Sequence, residues 1–179
     1  MFDPTIYDNL KVVLEGCVYD LDLDGKILVT NRSDRVELAS MARSCSIRFR
    51  EIDGGAAAAE LGLHTELADL AAELLEQEHI VPGCVLTVRF ETFTTDPQHD
   101  CPTVEKALLD IWEDRPDVVQ TVSYQWPRST AASQLHISLD FRRKVDESHA
   151  ADFPKLVQAA AHSLRWLNDY ASSRGGTGL

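Results

Sequence analysis

The chain has 179 residues, 44% of them hydrophobic and 26% charged, with 17 basic against 29 acidic side chains and a formal net charge of −12. That length holds one domain with a substantial core. The acidic balance argues against non-specific nucleic-acid binding and against an anionic membrane surface, since both require a basic face. No apolar run is long enough to span a membrane, and the opening Met1-Phe2-Asp3-Pro4 lacks the features of a signal peptide. A cytoplasmic protein is expected, without nucleic-acid or membrane partners and without a cofactor. Cys17, Cys45, Cys84 and Cys101 form neither a C-x-x-C pair nor a zinc-like spacing with histidine, so they are expected to be free thiols.

Asp3 followed by Pro4 fits a helix start, with a short helix to about Asn9. Leu10 to Leu23 then reads as a long strand, although Ile6, Leu10, Val13, Leu14 and Cys17 also fit helical spacing. Leu21 and Leu23 alternate with Asp20, Asp22 and Asp24, and Asp24-Gly25 fits a tight hairpin turn returning through Lys26 to Thr30. The same three aspartates before a glycine match the first half of a calcium loop. Its twelfth position holds Asn31 in place of the closing glutamate, which leaves at most a weak site. Asp34 with Glu37 resembles a capping box, and Val36, Ala39 and Ala42 share a helical face, so a short helix is predicted from Asp34 to Arg43.

Further along, Cys45, Ile47 and Phe49 alternate with Ser46, Arg48 and Arg50 as a strand with one polar face. Asp53-Gly54-Gly55 and the alanines after it predict a loop or weak helix. An amphipathic helix capped by Thr65 carries Leu67, Leu70, Ala71, Leu74 and Leu75. Leu86, Val88 and Phe90 mark a strand, Thr94 to Asp100 a polar loop, and Val104, Leu108, Ile111 and Trp112 one face of a helix. Val122, Tyr124 and Trp126 predict the apolar side of another strand, and Leu135, Ile137, Leu139 and Phe141 that of the last. A long helix runs through Phe153, Leu164 and Leu167.

About six strands with one polar face and four or five helices predict an α+β fold. Its form is a two-layer sandwich, with a largely antiparallel or mixed sheet and helices packed on one face only. Residues 1–173 are expected to form one domain, followed by a disordered Gly-rich tail over 174–179.

Two constellations could carry function. If the strands lie together, Arg48, Arg50, Arg89, Glu91, Ser123, Gln125, His136, Asp140 and Arg142 share the polar face. Arg48, Arg89, His136 and Arg142 are its candidate ligand-binding residues, because guanidinium groups hold carboxylates or phosphates bidentately. The face could equally be solvated, with cross-strand ion pairs, or covered by another subunit. The second is His99-Asp100-Cys101-Pro102, where Cys101 near a helix start and His99 beside it could form a nucleophile and base. The leading expectation is a non-enzymatic binding or association protein, acting as a homo-oligomer or on a protein partner. The alternatives are a small enzyme using Cys101 and His99 or the arginine-bearing face, and a weak calcium binder through Asp20, Asp22 and Asp24.

Overall fold

The structure is a computed structural model and describes residues 5–77, 79–127 and 132–175. It is an α+β fold: a seven-stranded antiparallel open sheet in the order β1-β2-β3-β4-β6-β5, with α1 and α4 packed together against one face. The chain first forms α1 (Ile6–Leu23), then three strands, β1 (Ile27–Glu37), β2 (Ala42–Glu51) and β3 (Ala58–Thr65). Next come α2 (Leu67–Leu74), β4 (Cys84–Thr94), α3 (Pro97–Ile111), β5 (Asp117–Ser123) and β6 (Ser133–Asp140). The two-residue β7 (Lys144–Val145), a 3₁₀ turn (Glu147–Asp152) and α4 (Phe153–Gly175) complete the order.

The first third departs from the sequence expectation. The segment from Leu10 to Leu23 is helical, because Tyr7, Leu10, Leu14, Val18 and Leu21 recur at helical spacing and bury one continuous stripe. Thr5 and Asp8 form a capping box at its start, and the expected start at Asp3 and Pro4 lies outside the described residues. Asp24 caps the C-terminus, and Gly25 takes the left-handed conformation, φ 68°, that ends the helix. The apparent alternation of Leu21 and Leu23 with the aspartates is therefore a helix end: Leu21 is buried, while Leu23 is exposed.

The predicted helix from Asp34 to Arg43 is instead a long hairpin. β1 and β2 pair from Ile27 opposite Glu51 to Glu37 opposite Ala42, with a bulge between Val29 and Asn31. Asp53 to Ala57 form a loop, as one of the two expectations had it, while Ala58 and Ala59 open the strand β3 in the middle of the sheet. Its small residues suit a crowded position: a Cβ on Gly62 would stand 2.7 Å from the carbonyl oxygen of Cys45. Thr65 ends that strand, and Glu66, not Thr65, occupies the cap position of α2.

The polar loop predicted from Thr94 to Asp100 is mostly helix, since α3 begins at Pro97 with Asp96 as its cap. β5 lies earlier than predicted and ends at Ser123. Val118 and Val122 face the helices, whereas Tyr124 and Trp126 lie beyond the strand and are exposed. Arg174 belongs to α4 and not to a tail, and residues 176–179 of the predicted tail lie outside the described residues.

One apolar core joins these elements, from Tyr7 and Leu10 on α1, through Phe49, Leu61, Phe90 and Ile137 on the sheet, to Leu164 and Leu167 on α4. The alternation read in β4 and β6 holds, with Val88 opposite Leu139 and Phe90 opposite Ile137 facing the helices. β7 pairs with Cys84 and Val85 of β4 and so extends the row begun by β6, after a break at Arg142, φ 52°. No helix among the described residues is long and apolar enough to cross a membrane.

Candidate functional site

The helices cover one face of the sheet, and the opposite face carries the polar set of side chains. Arg48 on β2, Arg89 and Glu91 on β4 and His136 on β6 stand on it together. Strand β3 adds Glu60, directly opposite both Arg48 and Arg89 in register.

The arginines are engaged. Arg48 forms an ion pair with Glu91, whose other carboxylate oxygen lies 3.7 Å from His136 Nδ1. Arg89 Nη1 lies 3.5 Å from Glu60 Oε1. The Arg48 guanidinium holds the Glu91 carboxyl below its ordinary range. Arg142 stands apart from this group, past the end of β6. Its backbone N–H donates to Asp140 Oδ1 at 2.8 Å and its side chain pairs with Asp117. Gln125 lies beyond β5. Of the four candidate ligand-binding residues, three therefore share a cross-strand network and the fourth anchors the sheet's end.

His99, Asp100 and Cys101 sit in the first turns of α3, and a helix sends residues two apart to opposite sides. His99 and Asp100 turn toward α4. Asp100 is buried and accepts hydrogen bonds from Thr94 Oγ1 at 2.6 Å and Tyr170 Oη at 2.8 Å, and Arg174 pairs with the same carboxylate. His99 Nδ1 lies 3.5 Å from Asp100 Oδ1. Cys101 packs against the core, and burial, with Glu105 nearby, pushes its thiol up from the ordinary value. Both changes work against a thiolate nucleophile.

Asp20 and Asp22 lie in the last turn of α1 and Asp24 at its cap, and Asp22 and Asp24 take separate partners. Asp22 Oδ1 accepts from the Val29 N–H at 3.4 Å, and Asp24 Oδ2 pairs with Lys26 Nζ at 2.9 Å. Among the described residues no group of three or more histidine, cysteine or acidic side chains could hold a metal ion.

The sheet's two edges differ in a way the sequence did not signal. β1 carries Arg32, Asp34, Arg35 and Glu37 and a bulge, devices that discourage pairing with another chain. β5 reads Asp117-Val118-Val119-Gln120-Thr121-Val122-Ser123, with one charge, no proline and no glycine, and among the described residues no strand pairs with its outer edge. Val119 is exposed on the open face. Gln120 Nε2 donates to the Cys101 carbonyl at 2.8 Å, whereas its buried Oε1 has no hydrogen-bond partner among the described residues. An unsatisfied buried acceptor at a strand edge calls for a donor.

No family model, curated protein or solved structure matches this chain.

Proposed function

We propose that this chain is a non-enzymatic association module that forms a homodimer by pairing its β5 edge with the β5 edge of a second copy. The observation that carries this reading is the outer edge of β5, which no strand among the described residues pairs with and which is nearly uncharged and built from strand-forming residues. Antiparallel pairing about a two-fold axis at Gln120 sets Val118 against the second copy's Val122, and Val119 against its Thr121. Asp117 then meets Ser123, so the pairing brings no like charges together. The two Gln120 residues lie on the axis, each with its amide turned inward to the Cys101 carbonyl of its own chain. The dimer would be a continuous sheet with helices on one face and the arginine–glutamate network on the other. The four free cysteines fit a reducing compartment, and we place the protein in the cytoplasm.

Mass in solution, measured by light scattering across a concentration series, tests the reading. The expected result is twice the 19.9 kDa chain mass, falling to that of one chain in Val119→Lys/Thr121→Lys, which sets lysines against each other across the axis. Arg89→Glu, in the middle of the open face, should leave the mass unchanged. A wild-type protein that stays monomeric at every concentration overturns the proposal. A dimer lost in Arg89→Glu but kept in the lysine variant would place the interface on the open face instead.

A further inference from the structure

A cleft of about 590 Å³ opens on the helical side of the sheet. It lies between the C-terminal end of α3, the break that separates β6 from β7, and the corner where the 3₁₀ turn meets α4. Its volume falls within the range of small-molecule sites. Leu86, Trp112, Phe141 and Phe153 make an apolar floor. That floor is fixed in shape. Trp112 Nε1 donates to the buried Ser163 Oγ at 2.9 Å, and the rings of Trp112 and Phe141 meet edge to face with centroids 5.6 Å apart.

The rim carries Arg115, Arg143 and Lys155 against Glu113 and Asp152, a positive balance in a chain of net charge −12. Arg115 is occupied by Glu113, with Nη2 2.8 Å from Oε2. Arg143 and Lys155 are different: among the described residues neither has a carboxylate within ion-pair distance, and both are exposed at the cleft mouth. In so acidic a chain, two unneutralised cations beside a rigid aromatic floor define a specific complement.

We infer that this cleft binds a small amphipathic organic anion, with an aromatic or aliphatic body on the Trp112–Phe141–Phe153 floor and a carboxylate or phosphate between Arg143 and Lys155. Neither the site nor its ligand depends on the β5 dimer, because no residue of that edge lines the cleft.

Naphthoate is the first probe and naphthylmethanol its uncharged counterpart, with binding followed by titration calorimetry and tryptophan fluorescence on the full chain. The expected result is saturable one-to-one binding of naphthoate, at least about tenfold tighter than the alcohol, because hydrogen bonds to charged groups are the stronger ones. Arg143→Glu/Lys155→Glu should weaken naphthoate by at least about tenfold and leave the alcohol unchanged. Both side chains are exposed, so an unaltered unfolding midpoint will show that the variant folds. Inorganic phosphate at the same concentrations should bind more weakly than naphthyl phosphate, which separates an amphipathic site from a simple anion site. Equal affinity for acid and alcohol, full retention by the double variant, or no saturable binding of either naphthyl anion overturns the inference.

Discussion

The hydroxyl of Tyr170 donates to Asp100 Oδ1 at 2.8 Å, joining two residues that stand 70 positions apart. Thr94 completes the arrangement from β4, so one buried carboxylate ties the end of a strand, the start of α3 and the last turns of α4 together. A buried carboxylate is tolerated only while its donors are in place. Tyr170→Phe removes one of them and should cost about 1–3 kcal/mol in urea unfolding. The same variant should leave the solution mass unchanged, since neither Tyr170 nor Asp100 belongs to β5.

Alternation along β6 makes a sharper demand. Leu139 is 2% exposed beneath the helices, so Leu139→Ala should cost about 2–5 kcal/mol through lost burial and the cavity left behind. Its neighbour Ser138 faces the other way, opposite Arg89, and Ser138→Ala should cost under about 0.5 kcal/mol. Denaturant melts of the two variants, run side by side, check the contrast. Similar losses in both would mean that the strand is out of register.

Acid should weaken the fold partly through Glu91 and Asp8. Arg48 lowers the Glu91 carboxyl from 4.5, and Arg43 lowers that of Asp8 from 3.8. A carboxyl held lower in the folded state than in the unfolded state adds stability above its unfolded value, and loses that contribution as pH falls through its folded value. Between about pH 5 and about pH 2 the wild type should therefore lose more stability than Asp8→Asn/Glu91→Gln, measured by urea midpoints at each pH. Equal losses would show that both ion pairs are screened by solvent.

Thiol labelling reads the core from another side. Cys45 and Cys84 are buried, and burial pushes the Cys84 thiol up to about 12, so both should label only on unfolding. Cys17 and Cys101 are half-buried with thiols also raised by burial, and should label slowly in the native protein and faster as pH climbs. Rapid labelling of Cys101 at neutral pH would contradict the packing seen here and strengthen the case for a cysteine enzyme.

The parts of this fold that sequence made legible are those with a single clean period. β4 and β6 alternate along most of their length, and α3 and α4 keep a helical stripe, so their faces could be read directly. The hairpin of β1 and β2 could not. Most of β1 is exposed, which leaves no apolar alternation to count, and Val36, Ala39 and Ala42 mimic a helical face by chance. In β3, alanine and glycine carry little strand preference, and what places them there is the space between neighbouring strands. Arg48, Arg89 and His136 were visible as neighbours because they ride on alternating strands. Glu60, which answers two of them, was hidden with β3. The cleft was hidden for a different reason: Leu86, Trp112, Arg143 and Lys155 come from four separate stretches and meet only through tertiary packing.

The left-handed residue Arg142 separates two strands that would otherwise be one, since β6 and β7 both run along the same side of β4. Phe141 and Arg143, which flank the interruption, both line the cleft. The opening thus owes one wall to a local change of register, and its other walls to the end of α3 and the start of α4. β6 and β7 pair with β4 in registers two residues apart, so a deletion of two residues at this point would let the strand run through unbroken and withdraw the outer wall. Evolution could create or erase such a chamber in a single step, without touching the sheet order or the core.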